Sequence, residues 1–241
     1  ECWLTSNCQL NDRLGFDPWL HTANNVKRLK LAVEQSGARL VAVESNIIDR
    51  IWKDQPPAPL SPVEILNISY SGRSSADKKL AATKELQSKG EDAVVLSSLS
   101  SIAWLANIRG GDVPYTPFSL AYGILYVDSR LDVFTDLRKV RPSVQNTVQK
   151  DCLFRSISEF VSALNDLGQK SARVRIDPSN TAEAVKQKLS ESGANMSFKN
   201  DPCILPKSCK NSVELEEINK IMNHKKLDNY EFVKGDINKT I

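Results

Sequence analysis

The sequence predicts an α/β protein made of two related units in tandem, of which the first is incomplete. Three observations support this fold class. Hydrophobic residues make up 41% and charged residues 25% of the 241 residues, which is typical of a globular chain. Short apolar runs alternate with amphipathic segments. The pattern strand, Asp-Pro, helix, Ser-Gly-Ala, strand occurs at 15–43 and again at 172–198.

The first unit has the predicted order β-α-β-α. Its elements are a strand that ends at Asp17-Pro18, a helix with Val26, Leu29 and Val33 on one face, a strand at 40–43 and a helix at 46–52. Gly37 ends the first helix. Residues 54–62 hold four prolines, which exclude a helix or a central strand and predict a stiff linker.

The second unit is predicted to contain its full set of elements. It opens with a helix capped by Ser74, a strand at 92–98, a turn-rich stretch around Gly110-Gly111, and a hairpin of 120–128 with 131–136. Apolar residues recur at helical spacing before Gly168 and predict the most clearly amphipathic helix: Ile157, Phe160, Val161, Leu164 and Leu167.

Two further helices complete the chain. The first follows Asp177-Pro178 with Ala182, Val185 and Leu189 inward, and Asn180 with Glu183 predicts its capping box. The second begins after Pro206 and is capped by Asn211 and Glu214, with Leu215, Ile218, Ile221 and Met222 on one face. No later element is predicted to cover that face.

Composition excludes several classes of function. The chain has 32 basic and 29 acidic residues, interleaved, so a nucleic-acid surface is not expected. No apolar run approaches the roughly 18 residues of a membrane span. The first residues lack the pattern of a secretory signal, and five cysteines without a C-x-x-C pair suggest reduced thiols. We therefore expect a cytoplasmic protein without nucleic-acid or membrane partners.

The common catalytic motifs are missing from the sequence. It has no G-x-S-x-G, G-x-G-x-x-G or P-loop pattern, and no paired histidines at metal-ligand spacing. The two histidines, His21 and His224, stand alone. We therefore expect no metal or other cofactor to be bound by this chain.

The segment 104–113 is the most distinctive in the chain. It places Trp104, Arg109 and Asp112 around paired glycines, and such a loop could bring the arginine to a carboxylate ligand. The structural alternative is that Arg109 pairs with Asp112 across the Gly-Gly turn while Trp104 lies in the core. Composition alone favours this alternative.

Six segments together resemble one known family. They are GFDPWLHT (15–22), NIIDRIW (46–52), SGRSSADK (71–78), IAWLANIRGGDVPYTPFSLAYGIL (102–125), RIDPSNTAEAV (175–185) and CKNSVELE (209–216). The block I-A-W-L-x-N-x-R-G-x-D is specific to the long, three-domain aminopeptidase P family, the Xaa-Pro aminopeptidases of the creatinase/prolidase metallopeptidase group. The resemblance covers 14–216 and ends at Glu216.

The resemblance implies two creatinase-N-like domains with mixed sheets, followed by a catalytic pita-bread domain. In that domain two Asp, one His and two Glu hold two divalent metal ions, usually manganese. Residues 1–62 then form the end of the first domain with its linker, 63–209 the second domain, and 210–241 the start of the catalytic-domain helix. None of the five ligands lies in the chain, so the catalytic domain is expected to be absent and the chain inactive alone.

The family hydrolyses peptides with proline at the second position. The resemblance implies that this chain is the non-catalytic N-terminal region of such an enzyme and helps to wall its substrate cleft, with Asn107, Arg109 and Asp112 as cleft residues. A non-enzymatic protein-binding module and a decayed remnant of the family are the alternatives. The exposed strand edge at 40–43 predicts self-association into a homo-oligomer.

Overall fold

A computed structural model describes residues 2–224 as a small α/β unit packed on a larger one. The small unit holds a two-stranded parallel sheet in which Arg13 pairs with Arg39 and Phe16 with Ala42. Its elements are α1 (Cys2–Asn7), β1 (Arg13–Phe16), α2 (Ala23–Glu34), β2 (Arg39–Ala42) and α3 (Ile47–Ile51). The predicted order β-α-β-α is confirmed, and α1 precedes it.

The proline-rich segment joins the two units. Residues 55–63 contain no helix or strand, as the prolines predict. The end of the segment is anchored, because Val63 is buried and the Ser61 N–H donates to the Asp112 carboxylate at 3.2 Å.

The larger unit contains the remaining elements. They are β3 (Glu64–Ile65), α4 (Ile68–Ser71), α5 (Ser75–Ser88), β4 (Ala93–Leu96), α6 (Leu99–Ala106), β5 (Ile108–Arg109), β6 (Tyr122–Tyr126), β7 (Leu131–Thr135), α7 (Pro142–Val148), β8 (Leu153–Ser156), α8 (Phe160–Gln169), β9 (Arg173–Ile176), α9 (Glu183–Ser192), β10 (Asn195–Phe198), α10 (Ile204–Ser208) and α11 (Ser212–His224). No helix within residues 2–224 is both long and apolar enough to span a membrane.

Six strands of the larger unit form one mixed sheet in the order β10-β9-β4-β6-β7-β8. Strand β6 is antiparallel to both of its neighbours, and the other pairs are parallel. The predicted hairpin is β6-β7, and its turn passes through Ser129 in the left-handed region (φ 70°). The predicted class, an α/β fold with a mixed sheet, is confirmed.

Strand β4 separates two apolar cores. Val94 and Leu96 lie in the core that contains residues of α5, α6 and α7, whereas Ala93 and Val95 lie in the core that contains residues of α8 and α9. This alternation follows from the two-residue period of a strand. Because both faces are covered by helices, all four residues are apolar.

One residue of the predicted amphipathic helix does not point inward. Phe160, Leu164 and Leu167 of α8 are buried as expected, but Ile157 is 45% exposed. The reason is local: residues 157–159 form a turn of 3₁₀ helix ahead of α8, which changes the angular spacing of the side chains.

The two units meet where α2 and α9 begin. The first N–H groups of a helix have no partner within the helix. In α2, Ala23 N–H donates to the Thr181 carbonyl at 3.1 Å and Asn24 N–H donates to the Pro178 carbonyl at 2.9 Å. The start of α2 is therefore bonded to the turn that precedes α9.

The reverse contact has the same form. In α9, Glu183 N–H donates to the His21 carbonyl and Ala184 N–H to the Pro18 carbonyl, both at 2.9 Å. Pro18 and Pro178 hold equivalent places in the two Asp-Pro motifs, as do His21 and Thr181. Each copy of the repeat thus satisfies the helix start of the other.

The predicted capping box of α9 is wrong. The helix is preceded by Ala182, which has no side-chain capping bond. Asn180 instead donates to the Asp177 carboxylate at 2.9 Å, and the Glu183 carboxylate pairs with Lys186 at 2.9 Å. Carbonyls of the other unit take the place that a local cap would fill.

Ala23→Pro tests this contact. Proline is tolerated at the first position of a helix, and Thr22 already has the extended backbone that precedes proline (φ −71°, ψ 157°). The change removes the N–H that bonds to Thr181, so we expect a loss of about 1 kcal/mol or more in the free energy of unfolding, measured in urea. In the control Ile47→Pro, the first N–H of α3 has no partner among residues 2–224. An equal loss there would contradict the interpretation.

Candidate functional site

The site is built on the block 99–122. Helix α6 ends at Ala106, and Asn107 follows in the left-handed region (φ 53°), which asparagine tolerates better than most residues. Gly110 then passes close to Ser119, where a Cβ would lie 2.8 Å from the Ser119 side chain. Glycine at this position lets the block fold back on itself.

Asn107, the first predicted cleft residue, is buried and bonded at both ends of its amide. Its Oδ1 accepts a hydrogen bond from the Lys78 ammonium at 2.6 Å, and its Nδ2 donates to the Arg73 carbonyl at 2.9 Å. Asn107 therefore holds α5 and the turn before it against the block.

Lys78 is a cation inside the protein, only 2% exposed. Its Nζ donates to the Trp104 carbonyl at 3.0 Å and lies 4.7 Å from the centre of the Trp104 ring. Burial lowers the pKa of Lys78 to about 8, while the Glu214 carboxylate acts in the opposite direction. A hydrophobic pattern does not select this charged residue, although its spacing to Ala82 and Leu86 places it on the inward face of α5.

Asp112, another predicted cleft residue, has four hydrogen-bond donors around its carboxylate. The Lys139 ammonium lies at 2.7 Å, the Leu120 N–H at 2.7 Å, the Ser119 hydroxyl at 3.1 Å and the Ser61 N–H at 3.2 Å. Burial alone would raise the pKa of Asp112, but these hydrogen bonds, led by that of Lys139, hold it below its ordinary value.

The expected pairing of Arg109 with Asp112 is wrong, because Asp112 pairs with Lys139. Arg109 is half-buried, and its Nη1 donates to the carbonyls of Ala103 at 3.3 Å and Ile108 at 2.8 Å. Its Nε and Nη2 groups have no hydrogen-bond partner within residues 2–224. The placement of Trp104 in the core is confirmed, at 9% exposure.

A cavity of about 320 Å³ lies where the block meets α4, α10 and α11. Arg109 and Glu214 face it from opposite elements, and the attraction of Glu214 partly offsets the lowering of the Arg109 pKa by burial. Its charged residues are Arg109, Lys207, Lys210, Glu214 and Glu217, and its aromatic residues are Tyr70, Trp104 and Phe118.

This cavity can bind a ligand that has both polar and apolar parts. The free guanidinium edge of Arg109 suits a carbonyl or carboxylate oxygen. Trp104 and Phe118 offer apolar surface for a ring or an aliphatic side chain.

A second crevice, of about 400 Å³, lies at the carboxyl ends of β4 and β7. Its lining includes Pro59 of the linker, Tyr122, Thr135 and Ile157. Such an edge is a common place for ligands in α/β proteins. We favour the first cavity as the site because Arg109 supplies it with hydrogen-bond donors that have no acceptor within residues 2–224.

The fold and the site define a mixed α/β domain with helices on both faces of its sheet and a cavity at its last described helix. Residues 54–214 match the family model of the creatinase/prolidase N-terminal domain. The chain belongs to the creatinase/prolidase N-terminal domain family. This match and the relatives that follow confirm the resemblance to the N-terminal portion of Xaa-Pro aminopeptidases.

Named relatives agree with this family. The chain is 31% identical to aminopeptidase P2 of Arabidopsis thaliana over 186 residues, which is 76% of this chain and 26% of the relative. It is 32% identical to a probable Xaa-Pro aminopeptidase P of Aspergillus fumigatus over 174 residues, or 70% of this chain and 26% of that protein. The chain thus spans about a quarter of the length of these relatives.

One solved structure shares the fold closely. It is the X-prolyl aminopeptidase of Caenorhabditis elegans, described as a cytosolic enzyme with a di-nuclear active site. The TM-score is 0.83 at 24% sequence identity, and the match covers 90% of this chain and 36% of that enzyme.

The described residues do not fit the metal pair that the resemblance implies. Among residues 2–224 no three His, Cys, Asp or Glu side chains are grouped so that they could hold a metal ion. The carboxylates near the cavity have other partners: Asp112 pairs with Lys139, and Glu214 accepts the Asn211 N–H at 3.0 Å. We therefore assign no metal-dependent step to these residues.

Lys139→Met tests the buried ion pair. The change leaves the Asp112 carboxylate buried without its cation, so we expect a loss of about 3 kcal/mol in the free energy of unfolding at neutral pH. Because the folded-state pKa of Asp112 is depressed, the pair stabilises the fold above the ordinary Asp pKa and loses this effect as the pH falls through the depressed value. The difference between variant and wild type should therefore shrink in acid.

The matched control for this prediction is Arg138→Met. Arg138 pairs with Asp136 at 2.6 Å, but the pair is at the surface, so its loss should change stability little. Similar urea midpoints for the two variants at neutral pH would show that the buried pair has no special role.

Lys78→Met tests the buried ammonium. The pKa of Lys78 falls from 10.5 in the unfolded chain to about 8 in the folded one, so the unfolded state binds more protons between these values. Stability from this residue therefore rises with pH over that interval, by on the order of 3 kcal/mol for the full shift. The rise should vanish in Lys78→Met and persist in Lys84→Met, an exposed position of α5. If the free energy of unfolding of wild type and of Lys78→Met changes with pH in parallel, the rise does not come from Lys78.

Proposed function

We propose that this chain is the non-catalytic N-terminal region of a metal-dependent Xaa-Pro aminopeptidase, and that the block 99–122 helps to wall its substrate cleft. The substrates are peptides with proline at the second position. A pair of divalent metal ions would supply the hydrolytic chemistry. We expect these ions to be manganese and to bind outside the described residues.

The observation that carries the proposal is the position of Arg109. Its guanidinium faces a cavity at α11, the last described helix, and keeps N–H groups that no other residue among 2–224 accepts. A peptide offers carbonyl and carboxylate oxygens that match such a group in geometry and charge.

The other two predicted cleft residues have a different part in the proposal. Asn107 and Asp112 are buried, and their polar atoms already bind Lys78 and Lys139. Asn107 and Asp112 hold the block 99–122 in place from inside the protein. Of the three residues, Arg109 is the one that contacts the peptide.

The relatives support the remaining parts of the proposal. The Aspergillus relative is named a probable Xaa-Pro aminopeptidase P, and the worm enzyme is described as cytosolic with a di-nuclear active site. We extend the substrate class, the metal pair and the cytosolic location to this protein on that basis. Strands β1 and β2 pair only with each other within residues 2–224, which supports edge pairing in a homo-oligomer.

The experiment uses a chimera of the C. elegans enzyme in which residues 54–214 replace the corresponding region. In an active chimera, we expect Arg109→Ala to lower kcat/KM for Xaa-Pro peptides by about tenfold or more, because a charged hydrogen bond to the peptide is lost. The Tm should stay nearly unchanged, since Arg109 forms no salt bridge with any carboxylate in the described part of the chain. The 241-residue chain alone should show no manganese-dependent activity.

The matched control is Arg173→Ala, which removes an exposed arginine that does not line the cavity. It should leave kcat/KM unchanged. The cleft assignment fails if Arg109→Ala behaves like this control, or if it lowers kcat/KM and Tm in the same proportion.

A further inference from the structure

The turn between α4 and α5 touches the start of α11. Gly72 follows α4 in the left-handed region (φ 62°), and its N–H donates to the Ile68 carbonyl at 2.8 Å. A Cβ at Gly72 would collide with the side-chain oxygen of Asn211 and lie 2.9 Å from the Cβ of Val213. Both the backbone conformation and the close approach of α11 therefore require glycine.

Asn211 makes two separate contacts here. Its Oδ1 accepts the Glu214 N–H and the Glu214 carboxylate accepts the Asn211 N–H, both at 3.0 Å, which forms the predicted capping box of α11. Its Nδ2 donates to the Ser71 carbonyl at 2.9 Å. The cap of α11 is therefore bonded directly to the end of α4, and α4 is an earlier helix that packs on α11.

The same turn is held from its other side by the candidate site. The Arg73 carbonyl accepts a hydrogen bond from Asn107 Nδ2, and Asn107 Oδ1 accepts one from the Lys78 ammonium. Residues 71–73 thus form a bridge between the block 99–122 and α11.

We propose that Gly72 and Asn211 are positioning residues: they lock α11 onto the turn 71–73 and so hold the Glu214 carboxylate opposite Arg109 in the cavity. The lock itself rests on the contacts above. Its effect on peptide binding rests on the proposed function. Glu214 is the carboxylate that acts on Arg109, so a displaced α11 would change the charge that a ligand meets.

Gly72→Ala tests the lock against the matched control Gly90→Ala. The two glycines have nearly the same φ (62° and 63°), so alanine causes similar strain in both, but a Cβ at Gly90 meets nothing closer than Arg173 Nη1 at 3.8 Å. We expect amide hydrogen exchange at 215–218 to become about tenfold faster or more in Gly72→Ala only. Equal exchange in the two variants would overturn the proposal.

Asn211→Asp tests the lock without backbone strain, and it serves if Gly72→Ala does not fold. Aspartate keeps the cap acceptor for the Glu214 N–H but replaces the donor to the Ser71 carbonyl with an acceptor. We again expect faster exchange at 215–218.

The control for this variant is Asn67→Asp. Asn67 caps α4 by accepting the Ser69 N–H at 2.9 Å, so the charge and the cap change in the same way while the bond from Asn211 to the Ser71 carbonyl stays in place. If exchange at 215–218 is no faster in Asn211→Asp than in Asn67→Asp, the lock is wrong.

A second measurement reports position rather than stability. Glu214 raises the pKa of Lys78, so a displaced α11 should lower the NMR titration midpoint of the Lys78 side chain below its wild-type value. We expect this shift in Gly72→Ala and Asn211→Asp and not in the two controls. An unchanged midpoint despite faster exchange would show that α11 frays in place, which would refute the positioning role.

These measurements need only the 241-residue chain and no peptidase activity. Their failure would therefore refute the lock and leave the proposed function standing. If the lock holds, Asn211→Asp in the active chimera should raise the KM for Xaa-Pro peptides. An unchanged KM would count against the cleft role and not against the lock.

Discussion

The reciprocal hydrogen bonds between the starts of α2 and α9 hold the two units together. A two-stranded sheet such as β1-β2 is marginal by itself. Its helix begins with N–H groups that need acceptors, and the carbonyls of Thr181 and Pro178 supply them. In the same way, the His21 and Pro18 carbonyls of the small unit accept the first N–H groups of α9. The two copies of the Asp-Pro motif therefore bind each other, because the carbonyls of each copy accept the N–H groups at the helix start of the other.

The candidate site depends on buried charges whose partners come from distant parts of the chain. Lys78 is held by Asn107, and Asp112 is held by Lys139. A buried charge without a partner is strongly destabilising, so these contacts restrict the block 99–122 to one conformation. Among the residues that line the cavity, Arg109 keeps Nε and Nη2 groups without a hydrogen-bond partner in residues 2–224. The block 99–122 thus both binds these buried charges and lines the cavity.

Local patterns allowed several elements to be predicted, and long-range contacts explain the errors. The hairpin β6-β7 and the Asn211 cap of α11 depend on neighbouring residues and were predicted correctly. The Asn180 cap and the Arg109 pair were wrong because partners far along the chain, the His21 carbonyl and Lys139, took those places. The buried Lys78 lay on the inward face of α5 but carries a charge, so a hydrophobic pattern did not select it.

The sequence by itself determined the fold class, the tandem repeat and the family, and it singled out the segment that we propose carries the site. These depend on periodicity and on local motifs, which are present in the linear order of residues. Only the tertiary structure decided which charges pair, which helix starts cap each other, and that α4 packs against α11. Those contacts form between groups that are far apart in the chain. Several acceptors are available to each donor, and which of them it meets depends on distances that exist only after folding.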